Sequence, residues 1–278
     1  MNDLPILVLG ATGKTGRRVL ERLRDRGVPV RAGGRSADPP FDWDDRATWA
    51  PALRGTSAAY VTYVPDIAVP GAHEAIGAFA EEARVAGCHR LVLVSGRGEP
   101  EAQRAEGVLA ESGAEWTVLR CGWFLQNFSE GELAEPVRRG ELALPAGERR
   151  APFVDADDIA DVAAAVLTEP GHHGRVYELT GPRTLTHREV TDAISRATGR
   201  PLAYVPITTE AFARALAQDG VPEDVIALLG YLFDEVLVEE NATVADGVQR
   251  VLGRPPRDLD DFVRNAAASG AWAPAAAA

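Results

Sequence analysis

Residues 5–20, PILVLGATGKTGRRVL, join an apolar run to a helical pattern through a turn that contains three glycines. Gly10 permits a sharp bend, Gly13 lets the backbone approach a pyrophosphate, and Gly16 lets a helix pack closely on a strand. Free N–H groups and the dipole at the start of the helix favour a diphosphate. The turn therefore predicts a dinucleotide site. Its expected cofactor contacts are Gly10, Thr12, Gly13, Lys14, Thr15 and Gly16.

The same turn contains Gly13-Lys14-Thr15, which is also the ending of a nucleoside-triphosphate loop. Such a loop needs another glycine, separated from Gly13 by four residues. Val8 occupies that position, and Gly10 is too close to Gly13 for the loop to wrap a β-phosphate. The triphosphate interpretation is therefore disfavoured.

Short apolar runs alternate with helical patterns along the chain. The runs are apolar almost throughout, as in strands buried on both faces. Alternation with right-handed crossovers predicts an α/β fold with a Rossmann-type, doubly wound parallel sheet. The predicted strands are 6–10, 28–34, 58–64, 90–96, 116–121 and 175–181, and the predicted helices are 14–26, 46–54, 70–87, 99–113, 154–169 and 186–199.

The pattern loosens after about residue 121, which indicates two parts. Residues 1–120, with returning elements near 150–182, are expected to form the cofactor domain. Residues from about 121 to 149 and 183–278 are expected to form a smaller, mostly helical, substrate-capping part, with the substrate between the two. Thr186 and Glu189 predict a capping box at a helix start in that second part.

The end of the second strand indicates which nucleotide binds. An acidic residue about 20 positions beyond the glycines would select the ribose 2′-hydroxyl of NAD. This chain has Arg35 and Ser36 there, with Arg31 nearby. Guanidinium donors match phosphate oxygens, and Lys14 can add charge. NADP(H) is therefore favoured, with Arg35 and Ser36 as cofactor contacts. The alternative is that Arg35 is an ordinary surface arginine.

Bulk properties exclude several classes of function. The net charge of −12 argues against non-specific binding to nucleic acid or to an anionic membrane surface. No apolar run approaches the roughly 20 residues that span a bilayer. Two cysteines make no disulfide framework or metal site, and the aspartates within 155–161 are better explained by helix capping. We expect a cytoplasmic monomer or homodimer that binds a small molecule and no metal.

Lys14 is the only lysine of the chain, and the residue four positions before it is Gly10. A Tyr-x-x-x-Lys dyad, in which lysine lowers the tyrosine pKa for proton transfer, is therefore absent. Reduction of an iminium, a quinone or an activated C=C or C=O bond remains open, because the cofactor supplies the hydride.

The stretch CGWFLQNF places aromatic side chains and an amide close together in the sequence. Trp123, Phe124, Asn127 and Phe128 are candidate substrate contacts, because aromatic rings can wall a flat molecule. Packing of these rings in the protein core is an alternative that the sequence favours equally. Tyr63, near the end of the third strand, is a candidate cofactor contact or a packing residue.

Six stretches resemble the NmrA-like branch of the atypical short-chain dehydrogenase/reductase family. They are GATGKTG (10–16), VRAGGRS (30–36), FDWDDRATWAPAL (41–53), LVLVSGRG (91–98), EWTVLRCGWFLQNF (115–128) and FVDADDIADVAAAVL (153–167). Within the branch the chain is most similar to ergot-alkaloid-type reductases related to agroclavine dehydrogenase. The resemblance implies an NAD(P)-dependent reductase of natural-product metabolism, of a kind found in actinomycetes.

The resemblance also implies roles for individual residues. Ser95 and Cys121 would lie near the nicotinamide, with Ser95 and Asn127 as candidate catalytic residues. Cys121 replaces the proline usual in the family, which favours a packing exchange. Glu106 occupies a position that is sometimes catalytic, although a solvated helix face is favoured. Two other functions stay open: a non-catalytic NADP-binding redox sensor, and a non-redox isomerase or cyclase on the same scaffold.

Overall fold

The computed structural model describes residues 4–273. The strands are β1 (Ile6–Leu9), β2 (Val30–Gly33), β3 (Ala58–Val61), β4 (Arg90–Gly96), β5 (Glu115–Cys121), β6 (Glu141–Leu144), β7 (Arg150–Ala151), β8 (Arg175–Leu179), β9 (Leu185–Thr186) and β10 (Ala203–Pro206). Six of them form one parallel sheet in the order β2-β1-β3-β4-β5-β8. This arrangement confirms the predicted Rossmann-type fold class.

The helices are α1 (Gly16–Asp25), α2 (Trp49–Leu53), α3 (Ala72–Val85), α4 (Pro100–Glu111), α5 (Asn127–Glu130), α6 (Ala134–Arg139), α7 (Ala156–Thr168), α8 (His187–Thr198), α9 (Thr209–Gln218), α10 (Glu223–Tyr231), α11 (Gly247–Leu252) and α12 (Leu259–Ala268). A π-helical turn, Leu232–Val236, follows α10. Within residues 4–273, every helix is too short or too polar to cross a bilayer.

The chain divides into two compact units. The first contains the residues up to Cys121, Ala156–Leu179 and Asp246–Pro255. The second contains Gly122–Asp155, Thr180–Ala245 and the residues from Pro256 onward. The six-stranded sheet belongs to the first unit.

Both faces of the sheet are buried, which explains the continuous apolar runs in the sequence. Leu7 and Leu9 of β1 share one core with Phe79 of α3 and Leu109 of α4. Side chains alternate along a strand, and Val8, on the opposite face, is also fully buried. Helices α1 and α7 pack together on that second face. The sheet is thus covered by helices on both sides.

The strand order reverses at β1, since β2 pairs with one edge of β1 and β3 with the other. In open α/β sheets, the crevice at the carboxyl ends of the strands beside such a switch point receives the ligand. The glycine turn follows β1 at this point, and therefore lies where the topology favours a nucleotide.

The second unit has its own core, in which β6 pairs with β10 and β7 with β9. The predicted capping box of α8 is present: the Thr186 hydroxyl accepts a hydrogen bond from Glu189 N, and Thr186 N donates to the Glu189 carboxylate at 2.7 Å. Trp272 Nε1 donates to the carbonyl oxygen of Phe128 at 2.8 Å. This contact ties the end of the described chain to the unit's interior.

Some element bounds differ from the prediction. Strand β3 ends at Val61, because the chain then leaves the sheet and Thr62 O accepts a hydrogen bond from Trp43 Nε1 at 3.0 Å. The predicted helix 46–54 is a 3-10 turn, Arg46–Thr48, followed by the short helix α2. The four strands of the second unit were not predicted, since none is longer than four residues and each pairs with one partner only.

Helix α11 returns to the sheet of the first unit through a close approach at Gly247. A Cβ atom there would lie 2.2 Å from the carbonyl oxygen of Glu178. We expect Gly247→Ala to destabilise the protein by about 1–3 kcal/mol, as overpacking does. Gly107→Ala is the matched control, because a Cβ at this position of α4 meets nothing within 4 Å. It should stabilise by about 0.5–1 kcal/mol.

Urea denaturation of both variants measures this difference. Equal stability of Gly247→Ala and wild type would show that α11 is free to move away from β8.

Candidate functional site

The glycine turn has close backbone contacts that leave no room for side chains at its glycine positions. Gly10 has a φ of +62°, a left-handed conformation that favours glycine. A Cβ on Gly16 would lie 2.2 Å from the carbonyl oxygen of Gly10, and one on Gly13 would lie 3.2 Å from it. Gly13 N donates to Gly10 O at 2.8 Å, which closes the turn. A diphosphate fits such a turn, because the backbone is bare and the turn leads directly into the N-terminus of α1, whose dipole favours an anion.

The side chains of the turn differ in exposure. Thr12 is exposed, Lys14 is half-buried, and Arg18 Nη1 donates to the Lys14 carbonyl oxygen at 2.7 Å. The Thr15 side chain is buried, and so is the nearby hydroxyl of Tyr60, whose pKa is raised by burial. Thr15 makes no side-chain cap to α1. Its hydroxyl is therefore directed into the protein.

Arg35 and Ser36 follow β2 and are both exposed. Arg35 forms no ion pair with any of residues 4–273, so its guanidinium remains available to an anion. Arg31 is held elsewhere, because its Nη1 donates to the carbonyl oxygens of Ala52 and Arg54 at 2.7 Å each. Of the two arginines, Arg35 is the one presented to solvent at the carboxyl end of the strand.

Tyr63, just beyond β3, belongs to a cluster of aromatic rings. Its ring centroid lies 4.9 Å from that of Trp43. The other members of the cluster are Phe41, Trp49 and Phe79. Tyr63 is half-buried, and burial, Asp44 and Glu74 raise the pKa of its hydroxyl. The side chain packs in the cluster and keeps an exposed edge.

Ser95 lies near the end of β4 and is tied to α4. Its Oγ donates to Glu106 Oε1 at 2.6 Å, and Arg120 Nη2 donates to Glu106 Oε2 at 2.5 Å. The expectation that Glu106 lies on a solvated helix face is therefore wrong. Glu106 is only 7% exposed, because Ser95 and Arg120 satisfy its carboxylate inside the unit.

The chain of charges continues across the sheet. Arg120 of β5 also donates to Glu178 of β8 at 3.1 Å, and Arg97 donates to Glu178 at 3.0 Å. These contacts lower the Glu178 pKa against the effect of burial, and the Glu106 carboxylate raises the pKa of Arg120. Four alternating charges thus connect the carboxyl ends of β4, β5 and β8.

Cys121, the last residue of β5, is buried, and burial strongly raises the pKa of its thiol. The thiol is therefore neutral near pH 7 and is no nucleophile. Arg97 N donates to the Cys121 carbonyl oxygen at 3.0 Å, so the backbone here joins β5 to the segment after β4. The thiol has the environment of a small packing side chain.

Two carboxyl groups of the first unit were missed in the sequence. Asp66 follows β3, and its Oδ1 accepts a hydrogen bond from Ala68 N at 2.8 Å. Glu99 lies between β4 and α4 and is only 7% exposed. Burial and the neighbouring Asp66 carboxyl raise the pKa of Glu99 to about 8, and burial also raises that of Asp66. A single acidic residue outside a recognisable motif cannot be distinguished from a surface residue by sequence alone.

The CGWFLQNF segment belongs to the second unit. Trp123, Phe124 and Asn127 are half-buried, whereas Phe128 is fully buried in the core. The Phe128 ring lies 5.8 Å from that of Phe153. For Phe128 the structure matches the packing alternative; the other three side chains keep exposed surface.

His187, the first residue of α8, lies among aromatic rings of the second unit. It is 1% exposed, and neither ring nitrogen has a hydrogen-bond partner within residues 4–273. Burial, and to a smaller extent the charge of Arg149, lowers its pKa to about 3. The neighbouring rings are those of Trp123, Phe128, Phe153, Tyr204 and Phe233.

The acids within 155–161 pair with protein donors. Asp157 and Asp161 accept hydrogen bonds from Arg22 at 2.6 and 2.7 Å, and Asp155 accepts one from Gln126 at 2.7 Å. Asp158 is fully buried and pairs with Arg254 at 2.7 Å. Residues 4–273 hold no group of three or more side chains suited to a metal ion.

Comparison with known proteins agrees with this geometry. The sequence model of the NmrA-like family matches residues 103–262, and that of an NAD(P)H-binding family matches residues 10–170. The chain belongs to the NmrA-like family. An NAD(P)H azoreductase of Xenophilus azovorans is 34% identical to it, over 96% of this chain and 99% of the relative.

Agroclavine dehydrogenase of Claviceps fusiformis is 29% identical to this NmrA-like chain, over 94% of the chain and 96% of the relative. The crystal structure of an NADPH-dependent quinone oxidoreductase from Escherichia coli in complex with NADPH is 25% identical, covers 94% of this chain and 99% of its own, and has a TM-score of 0.75. The predicted family, oxidoreductase class and nicotinamide cofactor are thereby confirmed.

We expect Glu106→Gln to destabilise the protein by about 2 kcal/mol, because Arg120 loses a charged partner in a mostly buried place. Glu101→Gln on the same helix is the control, since Glu101 pairs with Arg104 at the surface. It should change stability by less than about 0.5 kcal/mol. Denaturant titration measures the free energy of unfolding of both variants. An equal loss of stability in the two would contradict a structural role for the Glu106–Arg120 ion pair.

The buried His187 predicts loss of stability in acid. Its folded pKa of about 3 lies below the ordinary value of roughly 6.5. The unfolded chain therefore binds the proton first, and this contribution to stability is lost as the pH falls from about 6.5 towards 3. At pH 5 the loss should be about 2 kcal/mol.

His187→Phe should therefore lose less stability than wild type between pH 7.5 and 5, whatever its absolute stability. His89→Gln, at an exposed position, is the control. If the free energy of unfolding falls equally with pH in wild type and in His187→Phe, this account is contradicted.

Proposed function

We propose that this chain is an NADPH-preferring reductase of a small electrophilic molecule in secondary metabolism. The acceptor is an iminium, a quinone or an activated C=C or C=O bond. The exposed Arg35 at the end of β2, beside the bare glycine turn, carries the cofactor preference. The named reductases among the relatives support the reaction class.

In this proposal Gly10, Thr12, Gly13, Lys14, Thr15 and Gly16 hold the diphosphate. Arg35 and Ser36 bind the 2′-phosphate at the end of β2. Because β2 is the first strand of the sheet, the nicotinamide half extends the other way, over the ends of β3, β4 and β5. Tyr63, Ser95 and Cys121 lie near those strand ends and are the proposed contacts on that side.

When bound, the reduced nicotinamide supplies a hydride. The chain supplies orientation and shielding from water. Ser95 and Asn127 are the proposed polar groups near the reacting atoms. The Ser95 proton is donated to Glu106, so the lone pairs of the Ser95 oxygen are left to accept a hydrogen bond. Ser95 thus suits positioning of a donor group better than proton donation.

Trp123, Phe124 and Asn127 are proposed as substrate contacts, because their side chains keep exposed surface. Phe128 supports them from the core of the second unit. A flat acceptor suits such aromatic contacts. The missing Tyr-x-x-x-Lys dyad also favours acceptors that are already electrophilic over ordinary carbonyl–alcohol exchange.

The cofactor preference is tested by titrating NADPH and NADH into wild type and Arg35→Ala. Wild type should bind NADPH better, and the variant should lose about 1–3 kcal/mol of that preference, since a charge-assisted contact is removed. Arg175→Ala is the control, because Arg175 is an exposed arginine at the opposite, amino-terminal end of β8.

An unchanged preference in Arg35→Ala would assign the 2′-phosphate contact elsewhere. Binding of neither nucleotide would remove the reductase proposal and favour a non-redox enzyme on this scaffold. NADPH binding without turnover of any iminium or quinone would favour a redox sensor.

A further inference from the structure

We propose that the carboxyl pair formed by the half-buried Asp66 and the buried Glu99 stores the proton that accompanies hydride transfer, and that Glu99 is its donor to the substrate. This inference rests on the proposed function, because it adds a proton source to the same reaction. It concerns acceptors that need a proton on oxygen or nitrogen, such as a quinone.

The position of Glu99 is the first argument. Its carboxyl group covers Gly96, the last residue of β4: a Cβ on Gly96 would lie 2.0 Å from Glu99 Oε1 and 2.6 Å from Oε2. Asp66 follows the neighbouring strand β3. The pair therefore lies at the carboxyl ends of β3 and β4, which follow β1 in the sheet on the side over which the nicotinamide half would extend. Two strand spacings of about 4.8 Å separate β1 from β4.

The second argument is the unsatisfied oxygen. Glu99 Oε2 is buried and, with both acids ionised, has no hydrogen-bond donor within residues 4–273. The neighbouring Asp66 carboxyl disfavours a second negative charge on the buried Glu99. A single proton on Glu99, donated towards Asp66, removes this conflict. The same proton is then held away from bulk water beside the reaction site.

Other acids and hydroxyls of the first unit are less suitable. The Glu106 carboxylate accepts hydrogen bonds from Arg120 and Ser95, so Glu106 and the Ser95 proton are already engaged with each other and with Arg120. Cys121 is neutral but its pKa is strongly raised by burial, as is that of Tyr60. Burial and Asp66 are the influences on Glu99, whose pKa of about 8 makes it an acid near neutral pH.

The proton step balances as follows for a quinone. The hydride brings both electrons and forms the new bond to the acceptor, which leaves negative charge on a quinone oxygen. The O–H bond of Glu99 breaks, and an O–H bond of the hydroquinone forms. Glu99 remains as a carboxylate beside Asp66 and regains a proton from water after the product leaves. An iminium accepts the hydride and becomes a neutral amine, so it needs no proton from Glu99.

The test compares two acceptors, menadione and a preformed N-methyl cyclic iminium salt, with wild type, Glu99→Gln, Asp66→Asn and the surface control Glu101→Gln. With menadione, Glu99→Gln should lower kcat by about 100-fold, in the range of general acid catalysis. With the iminium it should stay within about threefold of wild type. NADPH affinity should be unchanged in all variants, which also reports that they fold.

The pH profile gives a further readout. With menadione, wild-type kcat should fall as the pH rises through about 8, because the acid form of Glu99 is lost. Asp66→Asn should move this fall to lower pH, since a negative charge that favours protonated Glu99 is removed. Glu99→Gln should abolish it. A packing role for the pair would produce neither change.

Infrared spectroscopy examines the pair without turnover. At pH 7, wild type should show the C=O band of a protonated carboxyl that is missing in Glu99→Gln. Absence of that band, or equal loss of both acceptors in Glu99→Gln, would overturn the inference. If the band is present but wild type reduces neither acceptor, the stored proton is supported and the proposed function fails.

Discussion

The approach of Gly16 to the carbonyl oxygen of Gly10 is the constraint on which the cofactor unit depends. This contact sets the distance between the first residue of α1 and the turn that follows β1. Any side chain at residue 16 would push the helix away from that turn. The same closeness leaves the turn without a side chain that could block a diphosphate. One backbone contact therefore determines both the packing of the first helix and the accessibility of its N-terminus.

Several carboxyl groups lie at the carboxyl edge of the sheet, and their neighbours differ. Glu106 pairs with Arg120, and Glu178 pairs with Arg120 and Arg97, which fixes the ends of β4, β5 and β8 relative to one another. Burial and the neighbouring Asp66 carboxyl raise the pKa of Glu99. A buried acid with a cation is structural, and one without a cation keeps a proton.

Much of the first unit could be predicted from sequence, because β1 to β5 are continuous apolar runs and the glycine spacing is specific. Glu106 could not, since its partner Arg120 is distant in sequence and nothing local distinguishes it from a surface glutamate. His187 follows a capping threonine, where polar residues are common, yet its ring enters an aromatic core. The pairing of Asp66 with Glu99 depends on β3 and β4 being neighbours, which only the fold decides.

Arg254 pairs with the fully buried Asp158, although the segment Thr180–Ala245 of the second unit lies between them in the chain. The first unit therefore cannot complete its interior until the segment Asp246–Pro255 has left the ribosome. In nascent chains that end before this segment, Asp158 has not yet formed its ion pair with Arg254. The nucleotide-binding half therefore becomes fully native only after the intervening segment of the second unit has been synthesised.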